Sequence, residues 1–215
     1  MVFGKIEYLN LLPFHVFMKR FTKSSRQSMS MRYNKGVPSK INDKFTSRRV
    51  DAAFISSISA KNYPHVNLGI IAKKEVLSVL VIPNKKDTKD TESATSNILA
   101  KILNIQGEVL IGDKALKYYL EGKPYIDLAQ EWNDKYKTPF VFALLCYHKD
   151  KKIYKKIEKL FLKQPVKIPQ YMLQEAAHRT GVKEDDILKY LKYISYTLDQ
   201  KAKLGLKKFY TQIPR

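Results

Sequence analysis

The sequence predicts an α/β protein. Four short, largely apolar runs punctuate the chain: RVDAAFI (49–55), LSVLVIP (77–83), EVLI (108–111) and PFVFALLCY (139–147). Between them lie segments whose apolar residues recur three and four positions apart. Near-continuous apolar runs of this length indicate strands covered on both faces, which is what helices flanking a sheet provide.

Taken in order, the chain opens with GKIEYLNLLPF (4–14). Lys5–Tyr8 reads as a strand-like run that stops at Asn10, and Pro13 suits the first turn of a helix. Two readings of Asn10 stay open: a turn or capping amide, or an amide that faces a ligand. VPSKINDKF begins a helix near Pro38, with Ile41 and Phe45 four residues apart. RVDAAFI is the next strand and ends in Ser56 and Ser57. LSVLVIP is β-branched and stops at Pro83, and NKKDTKDTES (84–93) is the most loop-like stretch. Ser93 can cap a helix through SATSNILAKIL, where Ile98, Leu99, Ile102 and Leu103 share a face. EVLI ends at Gly112–Asp113, and Asp113 can cap DKALKYYL as Asp127 can cap DLAQEWNDKY. Beyond residue 148 we expect helices alone. Asp150 would cap one with Ile153, Ile157, Leu160 and Phe161 inside. Pro169 would open another that Gly181 closes. A last pattern runs through Ile187, Leu188, Leu191, Ile194 and Leu198 to Leu204 and Phe209.

The chain has 215 residues, enough for one large domain or two small lobes, and 44% of them are hydrophobic, enough for a sizeable core. One cysteine, Cys146, excludes an internal disulfide framework and CxxC metal clusters, and its apolar run marks it as a buried thiol. No apolar signal region fits residues 1–20, and no run reaches the roughly 20 apolar residues of a membrane span, so we expect a cytoplasmic protein with no membrane partner. The net charge is +20. The lysines are spread and mixed with Asp and Glu, and no zinc-finger or RNA-recognition motif accompanies them. That distribution favours a solvated surface first and an anionic small substrate second, over nucleic acid. Oligomeric state stays open.

One placement recurs. A buried strand ends, small hydroxyl or acidic residues follow, and a helix begins: at Ser56–Ser57, at Ser93–Ser96 and at Asp113, with Asn10 a less regular case. Ligands of open α/β sheets bind beyond the carboxyl ends of strands, where helix N-termini hold anions. Simple N-capping accounts for each position singly; their clustering gives the site reading equal weight. Other chemistry is thin. There is no Gly-rich phosphate loop, no HExxH and no GxSxG, and His15, His65, His148 and His178 are scattered without metal-ligand spacing. We expect no metal and no cofactor.

GKIEYLNLLPF, GVPSKIN, VDAAFISS, LSVLVIP, ESATSNILAKIL, LIGDKAL, DLAQEWNDKYKTPFVFAL and YLKYISYTLDQKAKLGLKKFY occur in this order and cover nearly the whole chain. Together they resemble the menaquinone-biosynthesis chorismate dehydratase family of the futalosine pathway. The resemblance implies a two-lobed fold similar to type II periplasmic binding proteins, with a helical C-terminal tail and a ligand cleft between lobes. It implies a first lobe of residues 1–78 plus 147–215 and a second of 79–146, crossed by LSVLVIP and PFVFALLCY. The second lobe is expected to be reduced, because only NKKDTKDTE separates VIP from SATS and only NIQGEV precedes LIGDKAL. By position, Asn10 falls on the family's active-site asparagine. Ser56, Ser57, Ser78, Ser93, Ala94, Thr95 and Ser96 fall on ligand-contacting segments. Asp113 falls where a related futalosine-cleaving enzyme looks to carry a histidine base. The implied activity is a hydro-lyase turning chorismate into 3-[(1-carboxyvinyl)oxy]benzoate and water, with Asn10 and Asp113 as catalytic candidates. The competing expectation is a small-carboxylate binding protein without catalysis, since fold alone does not fix function.

Overall fold

The computed structural model describes residues 1–24, 32–83 and 86–213. Two sheets organise it. The larger has six strands: β1 (Val2–Lys5), β2 (Arg32–Lys35), β3 (Ala52–Ser56), β4 (His65–Ala72), β8 (Phe140–Tyr147) and β9 (Ile194–Thr197), in the order β2-β1-β3-β8-β4-β9. β1 runs parallel to β2 and β3, whereas β8 runs antiparallel to β3 and β4. The smaller sheet has β5 (Val79–Ile82) between β6 (Glu108–Ile111) and β7 (Ile126–Asp127), all antiparallel. Three strands are consistent with the reduced second lobe.

The helices are α1 (Leu12–Ser24), α2 (Pro38–Thr46), α3 (Ser57–Ala60), α4 (Ala94–Leu103), α5 (Gly112–Leu120), α6 (Leu128–Tyr136), α7 (Lys151–Phe161), α8 (Gln170–Thr180), α9 (Glu184–Leu191) and α10 (Gln200–Gln212). Central strands are buried on both faces: every residue of β3 and all of β8 but Ala143. α1 brings Phe14 edge-on to Phe54 of β3 at 4.9 Å and to Phe161 of α7 at 5.3 Å between ring centroids. Aromatic edges prefer such contacts, and three rings buried together dominate the local packing energy. At the other end α10 sets Phe209 against Trp132 of α6 and Phe140 of β8. Gly205 lets α10 lie on the α6–β8 connection, because a Cβ there would fall 2.0 Å from the Pro139 carbonyl oxygen.

The chain crosses between sheets at residues 73–78 and again at 137–139. Asp127 ties the first crossing down. Its Oδ2 accepts from the Val76 and Leu77 N–H groups at 2.9 and 2.7 Å, while Oδ1 caps α6 through Ala129 and Gln130. Leu77 sits at φ +60°, which costs a branched residue energy that these bonds offset.

Several sequence expectations need correction. The first strand is Val2–Lys5, not Lys5–Tyr8. The tail is not all helical: Ile194–Thr197 forms β9 on the open edge of β4. Leu191, Ile194 and Leu198 happen to keep helical spacing across the end of α9, the strand and the Asp199 cap of α10. PFVFALLCY forms β8 in the larger sheet, pairing with β3 from Tyr147 to Ala143 and with β4 to Phe140. Asp113 and Asp150 make no capping bonds, whereas Ser93 and Asp127 do. β2, β4 and β7 were not foreseen: β2 is a polar edge strand, Gly69 interrupts β4, and β7 has two residues. Residues 84–85 of the expected loop lie outside the described residues.

Candidate functional site

A cavity of about 70 Å³ opens between the two sheets, where chain reversals from both meet. A single 3-10 turn, Leu9–Leu11, follows β1 and carries Asn10 into the lining. Asn10 lies within that turn and caps nothing, since Tyr8 holds the cap position. Ser56 enters from the end of β3, Ser78 from the start of β5, and Ser93 and Ser96 from the N-terminus of α4. Ile6, Phe54, Val79 and Phe142 make apolar walls.

Each polar group is held by a specific partner. Asn42 Nδ2 donates to Ser56 Oγ at 2.8 Å, and Asn42 Oδ1 accepts from the Ser56 N–H. Ser93 Oγ accepts from the Ser96 N–H at 3.1 Å and lies 2.8 Å from Ser96 Oγ, so both hydroxyls stand at the positive end of α4. The Tyr190 hydroxyl donates to Ser78 Oγ at 2.8 Å, and the Tyr196 hydroxyl donates to the Asn10 carbonyl at 2.7 Å. Gly112 opens α5 at φ +65°, and a Cβ there would meet the Tyr8 ring at 2.7 Å. The glycine thus lets Tyr8 lie over the helix start.

Tyr8 forms a wall between this cavity and an outer groove of about 330 Å³, lined by Lys5, Lys19, Lys35, Arg179, Glu7 and His15 among others. Its hydroxyl donates to Glu92, joining the 3-10 turn to the segment before α4. Burial, reinforced by Glu92, raises the Tyr8 pKa and keeps the phenol protonated. His15 Nε2 donates to the Ile6 carbonyl at 2.7 Å, and burial pushes its pKa down to about 4. Cys146 is fully buried, and desolvation pushes its thiol up to about 12, as befits a core residue.

Five of the expected residues therefore converge: Asn10, Ser56, Ser78, Ser93 and Ser96. The other four do not line the cavity. Ser57 is fully buried, donating to the Val141 carbonyl at 2.5 Å. Thr95 Oγ1 accepts from the Ile58 N–H at 3.2 Å, and Ala94 is exposed. Asp113 is engaged on both oxygens, Oδ1 accepting from the Leu9 N–H at 2.9 Å and Oδ2 pairing with Arg179 at 3.2 Å. Burial raises its pKa against the opposing pull of those two partners. Among the described residues the cavity lining contains no carboxylate, imidazole, guanidinium or amine; Tyr8 is its one titratable group. Sequence reasoning missed Tyr8, Tyr190 and Tyr196. All three lie inside quoted motifs, Tyr8 in GKIEYLNLLPF and Tyr190 and Tyr196 in YLKYISYTLDQKAKLGLKKFY, but nothing local marks them as reaching the site.

A cleft between two sheets, walled by the starts of α4 and α5, with a C-terminal segment returning to the larger sheet, defines a periplasmic-binding-protein-like fold. Solved structures agree. A protein of Archaeoglobus fulgidus matches with a TM-score of 0.71 at 13% identity, over 98% of this chain and 95% of that one. An ABC transporter protein of Parabacteroides distasonis matches at 0.61 and 13% identity, over 99% and 91%. The periplasmic aliphatic sulphonate binding protein of Escherichia coli matches at 0.54 and 13% identity, over 98% and 86%. These likenesses establish the fold. The family follows from sequence: the family model described as Menaquinone biosynthesis matches residues 1–108 and 103–214, and the chain belongs to that family. A chorismate dehydratase of Campylobacter jejuni is 47% identical over 213 residues, covering 97% of this chain and 96% of the relative.

Proposed function

We propose that the protein is a chorismate dehydratase, a hydro-lyase that removes water from chorismate to give 3-[(1-carboxyvinyl)oxy]benzoate in menaquinone biosynthesis. The observation that carries this reading is the convergence of Asn10, Ser56, Ser78, Ser93 and Ser96 on one cavity without an ionisable base, in a chain 47% identical to a dehydratase of that name.

Chorismate carries two carboxylates, a ring diene, an enolpyruvyl ether and an adjacent hydroxyl. The proton to be lost sits on the ether-bearing carbon, vinylogous to the ring carboxylate, which can delocalise the developing charge. Loss of hydroxide from the neighbouring carbon then makes the ring aromatic. Serine hydroxyls and the α4 N-terminus suit the carboxylates, because preorganised neutral donors stabilise charge without reorganising. Asn10 would orient the substrate or its leaving hydroxyl through its amide.

Two candidates for the proton acceptor were open, Asp113 and the substrate's own side-chain carboxylate. The second is favoured. Asp113 is committed to Leu9 and Arg179, and no lining residue among those described carries a carboxylate or imidazole. The substrate carboxylate brings its own base into the cavity, and positioning alone can supply a large effective molarity.

The direct test incubates purified protein with chorismate and follows loss of water by mass spectrometry. Product above the no-enzyme control, abolished by Asn10→Ala in a folded variant, is the expected result. Tight binding with chorismate recovered unchanged would favour the carboxylate-binding alternative, which the solute-receptor fold keeps open.

A further inference from the structure

Asn42 meets the cavity residue Ser56 through two hydrogen bonds whose directions are fixed. It lies on the buried side of α2 beside Ile41 and Phe45, is 8% exposed, and does not itself line the cavity. Gly4 lets α2 lie close on the larger sheet, because a Cβ there would fall 2.8 Å from Ile41 Cγ2. The pairing of β1 with β3 covers Phe3–Ala52 and Gly4–Ala53 and ends before Ser56. Beyond it the amide of Asn42 takes over. Its Oδ1 accepts from the Ser56 N–H at 3.2 Å, and its Nδ2 donates to Ser56 Oγ at 2.8 Å.

We infer that Asn42 is a positioning residue that makes the Ser56 hydroxyl a dedicated hydrogen-bond donor to a carboxylate of the substrate. This assignment rests on the dehydratase reading for the ligand and goes beyond it in giving one contact its direction. The direction follows from proton counting. A backbone N–H only donates, so the Asn42 atom facing it is the amide oxygen. The Asn42 atom facing Ser56 Oγ is then the amide nitrogen, which also only donates. Ser56 Oγ therefore accepts from Asn42, and its single proton goes elsewhere. Within the protein that proton reaches Ser59 Oγ at 3.2 Å, which is long for a bond between hydroxyls. Its other direction is the cavity, which Ser56 lines and Ser59 does not. A carboxylate oxygen accepts a hydroxyl proton at about 2.6 Å and carries charge, so it takes the proton from a neutral and more distant partner.

The described lining holds no cation, so its hydroxyls and the α4 N-terminus carry the anion. A hydroxyl whose oxygen is already engaged by Asn42 has fewer orientations to lose when the ligand arrives, and that saving appears as affinity. The carboxylate is charged before and during the chemical step. Loss of its donor therefore shows mainly in KM.

The test compares wild type, Asn42→Asp, Ser56→Ala and the double variant by steady-state kinetics on chorismate, at about pH 8.5, where an introduced carboxyl is ionised. Asn42→Asp is isosteric and keeps an oxygen for the Ser56 N–H, but a carboxylate cannot donate and takes the Ser56 proton for itself. KM should rise about 10- to 100-fold with kcat within about threefold. Ser56→Ala should raise KM about 10-fold, and in that background Asn42→Asp should add less than about threefold. A side chain that only supports the end of β3, or a new charge that only repels a dianion, gives additive losses, and additivity overturns the inference. So does a KM within about threefold of wild type in either single variant, or a loss confined to kcat. Should Asn42→Asp fail to fold, Asn42→Ala removes the donor instead. KM should then rise about fivefold, and the rise should vanish in the Ser56→Ala background; additivity again overturns the inference. Wild-type protein that binds chorismate without dehydrating it overturns the dehydratase reading alone, and the same comparison made on Kd by calorimetry then decides this one. Wild-type protein that does not bind chorismate overturns both.

Discussion

Asp113→Asn separates a catalytic carboxylate from a structural clasp. In the structure Oδ1 accepts from the Leu9 N–H at 2.9 Å and Oδ2 pairs with Arg179 at 3.2 Å, where the arginine side chain is 42% exposed. Asparagine keeps an oxygen for Leu9 and loses only the ion pair. A pair this open to solvent contributes about 0.5 kcal/mol, so thermal unfolding should shift by about 1–2 °C. Leu9 precedes Asn10 in the 3-10 turn, and its N–H keeps its acceptor, so the turn stays in place. The kcat for chorismate should therefore fall less than about threefold, with an unaltered pH–rate profile. A general base removed from the reaction would instead cost about 10²- to 10⁴-fold. The assay is the appearance of the aromatic product by mass spectrometry or absorbance across pH 5–9. A loss of about 100-fold or more in folded Asp113→Asn would refute the assignment of the proton to the substrate carboxylate. Asp113→Ala is the structural control. It leaves the Leu9 N–H without its acceptor, costs about 1–3 kcal/mol, and should loosen the Asn10 turn.

Tyr8→Phe removes the bond to Glu92 that joins the Asn10 turn to the α4 side of the cleft; KM should rise about fivefold with kcat within about twofold, and unchanged KM would deny the contact a part in closure. Asp127→Ala strips acceptors from the N–H groups of Val76, Leu77, Ala129 and Gln130, so stability should fall by about 3 kcal/mol and the unfolding temperature by about 6–12 °C; a shift under about 2 °C would contradict it. His15 has a folded-state pKa of about 4, below its ordinary 6.5, so the unfolded chain binds the proton more tightly. Its contribution is full above about pH 6.5 and is lost as pH falls through 4, about 3 kcal/mol in all; His15→Gln should remove that part of the slope in denaturant titrations.

What was legible in the sequence follows physical range. SATSNILAKIL, EVLI and PFVFALLCY announced themselves because their capping and apolar patterns are local, and the structure forms α4, β6 and β8 from them. β9 was hidden because its four residues prolong a helical spacing by coincidence, and only the unpaired edge of β4 decides the matter. The same holds in the site. Asn10 and the serines at 56, 78, 93 and 96 were reachable through strand ends and the family motifs, and they meet. Ser57, Ala94 and Thr95 share those motifs yet turn elsewhere, since neighbours in a helix's first turn point to different sides. Tyr190 and Tyr196 act across 112 and 186 residues of chain, and no local pattern encodes a contact at that separation.

In a protein of net charge +20, the described lining of the cavity proposed for the substrate has no cation. This division suits a reaction in which the substrate supplies the base. A lysine or arginine against the side-chain carboxylate would tighten binding but lower that carboxylate's pKa, making it a poorer acceptor of the ring proton. Hydroxyls and a helix N-terminus bind the anion with less loss of basicity. The cations stand instead beyond Tyr8, in the groove of Lys5, Lys19, Lys35 and Arg179, where they can raise the local concentration of a dianion without touching the chemistry. Lys35→Gln should then raise KM about twofold at low ionic strength, an effect that fades by about 0.2 M salt, with kcat unchanged. A kcat that falls with KM constant would place a groove cation in the chemical step and break the argument.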